Sequence, residues 1–132
     1  MISKRCKYAL KALRRLALSK DYVMKAYQIA DAERIPKKFL EHILIDLRTH
    51  ALIGSKKGAE GGYYLLKPAS DIKLSDVYRI FDGAIAMVPC ASEMYYEACD
   101  DCEDPDTCKL KEIFCDIRNK TYALMEKKPL HK

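Results

Sequence analysis

Residues 26–66 read AYQIADAERIPKKFLEHILIDLRTHALIGSKKGAEGGYYLL, and the order of patterns in this stretch decides the fold. Ala26 to Ala32 fits a short helix with Ile29 and Ala30 turned inward, and a tight turn through Arg34-Ile35 follows. Pro36 suits the first position of the next helix, where its missing N–H costs nothing. That helix runs to about His50: Leu40, Ile43, Leu44 and Leu47 recur at helical spacing, with Lys37, Lys38, Glu41, Asp46 and Arg48 elsewhere on its surface. Leu52 to Lys57 and Gly62 to Leu66 then read as two short strands around Gly58-Ala59-Glu60-Gly61, and four of the chain's five glycines fall in this stretch, which marks a hairpin.

Upstream, Ser3 is placed to cap a helix with Ala9, Ala12, Leu13, Leu16 and Ala17 on one stripe, ended by a Ser19-Lys20-Asp21 break. Three short helices followed by a glycine-rich hairpin make the winged helix-turn-helix pattern. In that pattern the last helix enters the major groove of DNA and the wing lies on the adjoining backbone. Lys37 and Lys38 oppose the macrodipole at a helix N-terminus unless an anion docks there. Two exposed lysines cost only a few tenths of a kcal/mol each, so this feature alone is neutral. The hairpin adds weight: glycines at its tip let the backbone approach phosphate closely, and Lys56 and Lys57 bring charge.

Downstream, Pro68 ends the wing, and Leu74, Val77, Tyr78 and Phe81 give an amphipathic helix stopped by Gly83. A long helix from Lys109 to about Lys127 carries Leu110, Ile113, Phe114, Ile117, Leu124 and Met125 on one face. Such a stripe must be buried. Packing along its counterpart in a homodimer is the simplest solution, and folding back on its own core is the alternative. The predicted fold class is mostly α with a small β-hairpin wing, a winged helix-turn-helix unit plus a long C-terminal dimerisation helix. The predicted organisation is a DNA-binding domain over 1–68, a connecting helix over 69–89, a cysteine-rich sensor loop over 90–108, and the dimerisation helix and tail over 109–132.

Charge is divided along the chain. Residues 1–68 hold 15 Lys/Arg against 6 Asp/Glu, a balance of +9, while residues 90–108 hold 7 Asp/Glu and no Lys/Arg. The first block draws a polyanion, which favours double-stranded DNA as partner; the acidic loop repels one and suits cationic metal instead. No apolar run approaches the ~20 residues that span a bilayer, and no signal-peptide core follows the first residues, so the expectation is a cytoplasmic protein without a membrane partner. No paired acid and base or activated nucleophile stands out, and His42, His50 and His131 have no partner at recognisable spacing, so an enzyme is not expected.

Six cysteines in a reducing compartment point to metal binding or redox chemistry rather than structural disulfides. Five of them run Cys90-x8-Cys99-x2-Cys102-x5-Cys108-x6-Cys115. Clustered thiolates on a loop meet the needs of zinc and of iron-sulfur centres, because soft sulfur ligands must converge without straining a regular element. Zinc and iron-sulfur rank equally on these residues, with a bare redox switch third.

Tyr8-Ala9-Leu10-Lys11-Ala12-Leu13, Ile29-Ala30, Ile35-Pro36-Lys37-Lys38-Phe39-Leu40-Glu41, Leu47, Leu52-Ile53, Ser55-Lys56-Lys57-Gly58 and Gly61-Gly62-Tyr63 together closely resemble the Rrf2 family of bacterial regulators, the group of IscR-, NsrR- and CymR-like proteins. The resemblance runs from Ser3 to about Met125. It implies a winged-helix homodimer that binds operator DNA, with a crossed dimerisation helix and in many members a 2Fe-2S or 4Fe-4S cluster held by three loop cysteines. Lys38, Phe39 and Glu41 match base-contacting positions of the recognition helix, and Lys57 matches a wing arginine that enters the minor groove. Lysine keeps that charge but loses the planar fork. Tyr63 closes its motif and joins Lys37 and Lys56 among the candidate DNA-binding residues, while Glu60 stands where the family usually has glycine.

For the cluster, Cys102 and Cys108 match the family's last two ligands and Cys90 is the natural first. Cys99 is surplus to that pattern and replaces Cys102 or serves as a fourth ligand. Cys6 of a partner subunit is another candidate for the fourth, whereas Lys7 and Lys111 occupy positions where some members place an Asp or a His. Cys115, roughly opposite the apolar stripe, reads as a packing residue.

Overall fold

A computed structural model describes residues 2–19 and 23–130. Among these, α1 (Lys4–Leu18), α2 (Ala26–Glu33), α3 (Lys37–Thr49), β1 (Ile53–Lys56), β2 (Gly62–Leu65), α4 (Leu74–Asp82) and α5 (Lys109–Lys127) follow in order. The fold class is the one read from the sequence. Lys20 and Asp21 of the expected break, and His131, lie outside the described residues; α1 stops at Leu18, with Ser19 as its cap. No described helix is long and apolar enough to cross a membrane.

Ser3 caps α1 as its sequence position requires: Oγ accepts the Cys6 N–H at 3.0 Å. Its own N–H donates to Asp82 Oδ2 at 2.9 Å, which ties the start of α1 to the end of α4. Between α2 and α3 the chain reverses through Arg34 in the left-handed region, φ 55°. Pro36 sits one position earlier than expected. It is the cap of α3, not its first residue, because ψ 128° is extended while its carbonyl already accepts the Leu40 N–H at 2.9 Å.

One core joins α1 to α4 and the hairpin. Leu40, Ile43, Leu44 and Leu47 are each at most 1% exposed, worth about 1.5–3 kcal/mol apiece on the usual transfer scale. Ala9 and Ala12 are fully buried and let α1 approach closely. Cys6, three residues before Ala9, is buried on that same side, with Ile72 and Val77 extending the core through α4. The hairpin is antiparallel, with Ile53 opposite Leu65 and Lys56 opposite Gly62. Its turn depends on glycine, since Gly58 has φ +105° and a Cβ on Gly61 would overlap the Lys56 carbonyl oxygen. Met24 and Tyr63 exchange backbone hydrogen bonds of 2.9 and 2.7 Å, adding a bridge beside β2.

No residue of α5 is buried, yet its C-terminal end is held by α4. Lys73 Nζ meets Glu126 Oε2 at 2.6 Å, the buried Ser75 Oγ donates to Glu126 Oε1 at 2.6 Å, and the Arg79 guanidinium lies 4.9 Å from the Tyr122 ring. Folding back therefore accounts for the last turns of α5. Leu110, Ile113, Ile117 and Leu124 remain 40–64% exposed.

The Lys73 and Ser75 hydrogen bonds hold the Glu126 carboxyl down at about 2, against an ordinary 4.5. A depressed carboxyl contributes stability that is complete above its unfolded value and is lost as pH falls from about 4.5 towards 2. Glu126→Ala leaves the Ser75 hydroxyl buried without a partner and is expected to cost about 1–3 kcal/mol near neutral pH. It should also flatten the loss of stability across that acid window, measured by urea unfolding. Equal acid sensitivity in variant and parent would show that the clamp does not act this way.

Candidate nucleic-acid interface and cysteine loop

α3 buries one face, and its first turns present exposed polar side chains outside that face. Lys37, Lys38 and Glu41 stand exposed on its first turns, and their side chains make no hydrogen bond or ion pair with any described residue. Lys56 at the end of β1 and Lys57 after it are equally exposed and unpaired among the described residues. The positive end of the helix macrodipole and two unneutralised ammonium groups thus coincide at one place, an arrangement that stabilises an anion. Phe39 is 38% exposed, and its ring meets Tyr8 edge-on at 5.5 Å, so part of its surface is committed to α1. Tyr63 packs partly against the core, and Glu60 is exposed at the wing tip.

Two surface residues of α3 turn inward to the architecture. Arg5 Nη2 pairs with Asp46 Oδ2 at 2.6 Å, fixing α1 on α3, and Arg48 Nη1 donates to Ser55 Oγ at 3.3 Å, linking helix to wing. The sequence carries a weak signal for the second link, an Arg and a Ser seven residues apart across one turn. His42 is exposed on α3 and His50 is exposed at its C-terminal cap, with His50 Nδ1 2.9 Å from the Asp46 carbonyl oxygen.

Cys90 lies in a single 3-10 turn, Pro89–Ala91, whose Ala91 and following Ser92 are buried. That turn is held from α5: Arg118 Nη1 donates to the Ala91 carbonyl at 2.6 Å, and Nη2 reaches Glu93 Oε1 at 3.6 Å. Nothing in the sequence marks Arg118 for this role. Cys99 and Cys102 follow on irregular chain, and Cys108 is the cap residue of α5. All four cysteines line one cavity of about 580 Å³, closed on the helix side by Leu110, Lys111 and Phe114.

Burial, followed by the charge of the neighbouring Cys108, pushes the Cys102 thiol up. Cys99 donates to Asp101 Oδ1 at 3.0 Å, and this carboxylate pushes its thiol up to about 11. Among the described residues no three His, Cys, Asp or Glu side chains stand close enough together to hold a metal ion. The donor set nevertheless suits one: soft sulfurs on a loop without regular structure, facing a single cavity, can be drawn together by the ligand itself. Cys115 lies outside this cavity, with Sγ 3.8 Å from Arg118 Nη1. Cys6 is ruled out as a ligand from a partner subunit, because its side chain is fully buried in its own core.

A short helix, a tight turn, a second helix with an exposed basic start, and a basic hairpin define a winged helix-turn-helix protein of the DNA-binding class. The family model described as Rrf2, iron-dependent transcriptional regulator, matches residues 2–132. The chain belongs to the Rrf2 family of transcriptional regulators, and it is not an enzyme. It is 41% identical over 121 residues to an rrf2-like HTH-type transcriptional regulator of Rhodobacter capsulatus, covering 89% of this chain and 81% of that one. An HTH-type transcriptional regulator of Mycobacterium tuberculosis is 41% identical over 88 residues, 66% of this chain and 55% of that one. Among solved structures, CymR, the global cysteine regulator of B. subtilis, superposes with a TM-score of 0.79 at 26% identity, covering 98% of this chain and 92% of that one. T. potens IscR shares the fold, with a TM-score of 0.73 at 20% identity over 98% and 82% of the two chains.

Proposed function

We propose that this protein is a cytoplasmic, homodimeric repressor that binds double-stranded operator DNA and senses its signal through an iron-sulfur cluster in the loop over 90–108. The observation that carries the DNA-binding part is the set of four exposed lysines, Lys37, Lys38, Lys56 and Lys57, without intrachain partners among the described residues. Lysines left unneutralised at a recognition helix and a wing are positioned for phosphates, with Phe39, Glu41 and Tyr63 completing the candidate DNA-facing set. Cys90, Cys102 and Cys108 would hold the cluster, with Cys99 as the further ligand. When bound, the cluster supplies an iron centre that oxidants and iron supply can change. The protein's part is to tie two ends of the loop to α5, through the Cys108 cap and the Arg118 contact behind Cys90.

Duplex binding is expected to weaken steeply with salt, since each neutralised phosphate releases counterions. Lys56→Glu with Lys57→Glu should lower the magnitude of the log–log slope by about 2. A slope unaffected by both substitutions would remove the wing from the interface.

The four free thiols lining one cavity favour one second reading, a thiol regulator working through a disulfide, or through zinc held by the four thiolates. Anaerobic purification with a visible spectrum and iron, sulfide and zinc analysis separates the two readings. Colourless protein with stoichiometric zinc, or with none and a reversible disulfide, would replace the cluster reading.

A further inference from the structure

Ile45 belongs to no face that the fold uses. It lies between Ile43 and Leu47 in sequence but on the opposite side of α3, and its side chain is 47% exposed where theirs are buried. Residues three, four and seven apart share a helix face, so Ile45 continues the row of Lys38, Glu41 and His42, about 10 Å along the axis from Lys38. Those three are exposed, and their side chains make no hydrogen bond or ion pair with a described residue. Phe39, the other exposed apolar side chain on α3, has an intramolecular partner in Tyr8. Ile45 is therefore an aliphatic group set into the polar row that α3 presents to DNA.

In the major groove a base pair offers one apolar group, the C5-methyl of thymine. We propose that Ile45 is a specificity-determining residue that reads a thymine methyl at one position in each half-site, beside the bases approached by Lys38 and Glu41. A β-branched side chain in a helix holds essentially one χ1 rotamer, so the contact is formed without much ordering cost. Isoleucine neither donates nor accepts, so it also penalises cytosine at that position, whose amino group would be covered without a partner. The inference rests on α3 being the recognition helix.

The test is selection of duplexes from a randomised library with the full-length wild-type protein. Affinities are then measured for the selected duplex and for copies in which single thymines are replaced by deoxyuridine, which removes only the methyl. One position per half-site should lose about fourfold, from roughly 0.8 kcal/mol per buried methyl, and substitution in both half-sites about fifteenfold. In Ile45→Ala that penalty should vanish and the selected preference at that position relax, while other positions keep theirs. The side chain is half in water, so the variant is expected to keep its far-ultraviolet circular dichroism. A wild type with no uracil-sensitive position, or an Ile45→Ala protein with the same penalty, overturns the inference. If Lys38→Ala and Glu41→Ala also leave the selected sequence unchanged, α3 is not in the groove and the parent reading falls as well.

Discussion

Replacing Ile113 and Ile117 together by Asp is expected to leave this protein folded, monomeric and unable to hold an operator. Both side chains are largely in water in the single subunit, at 54% and 40% exposure, so two carboxylates there cost the protomer little. In the proposed dimer the same positions lie in the seam between the two copies of α5. Losing two isoleucines from that seam removes about 1.5–3 kcal/mol each, and unpaired buried carboxylates add several more. Dimer affinity should fall by roughly a thousandfold or more. Two half-sites read by one rigid dimer gain about 10²–10⁴ over a single contact, and that gain disappears with the seam. Light scattering reports the oligomer and fluorescence anisotropy the operator. A variant that stays dimeric refutes the interface, and a monomer with undiminished operator affinity refutes reading by paired half-sites.

Cys108→Ala carries the second large effect. Cys108 caps α5, and the turn that carries Cys90 is held ten residues further along the same helix by Arg118. A cluster that draws Cys90, Cys102 and Cys108 together would tie the start of α5 to the turn held by Arg118 more firmly than the Tyr96–Lys111 contact of the loop does. Bound and free forms must differ in domain arrangement for this to reach DNA, since a ligand with equal affinity for two states shifts neither. Cys108→Ala is expected to lose iron and sulfide and to change operator affinity by about 5–150-fold, the usual span of an allosteric coupling. Dimer formation and non-specific DNA binding should be unchanged. Cys115→Ala, outside the cavity, should do neither, and Cys99→Ala shows whether the fourth thiol is a ligand. A full iron-sulfur spectrum in Cys108→Ala would sink the ligand assignment; loss of the spectrum with unchanged operator affinity would show that the cluster is not the switch.

The helices were legible because their apolar residues recur at 3.6-residue spacing, and the hairpin because glycine punctuates it. Leu40, Ile43, Leu44 and Leu47 form the predicted face of α3, and Gly58 and Gly61 meet backbone demands that only glycine satisfies easily. Sequence places Pro36 only to within one residue, because its ring fits both the cap and the first turn while only ψ separates them. Cys6 falls on the stripe of Ala9, Leu13 and Leu16, so its burial is readable from helical spacing. The contacts that hold α5 were not readable. Arg118 finds Ala91 across 27 residues and Ser75 finds Glu126 across 51, and no local pattern encodes a pairing that only tertiary packing creates.

The burial of Cys6 divides the thiols into two populations of different accessibility. Burial, with the nearby Asp82 charge adding to it, pushes the Cys6 thiol up to about 11, whereas the other five cysteines are all at least partly accessible. An alkylating reagent attacks thiolate that it can reach, so in native protein Cys6 reacts only when the packing of α1 opens. Its labelling rate is a clock for opening of the core, running inside the same molecule in which the loop cysteines report ligand occupancy.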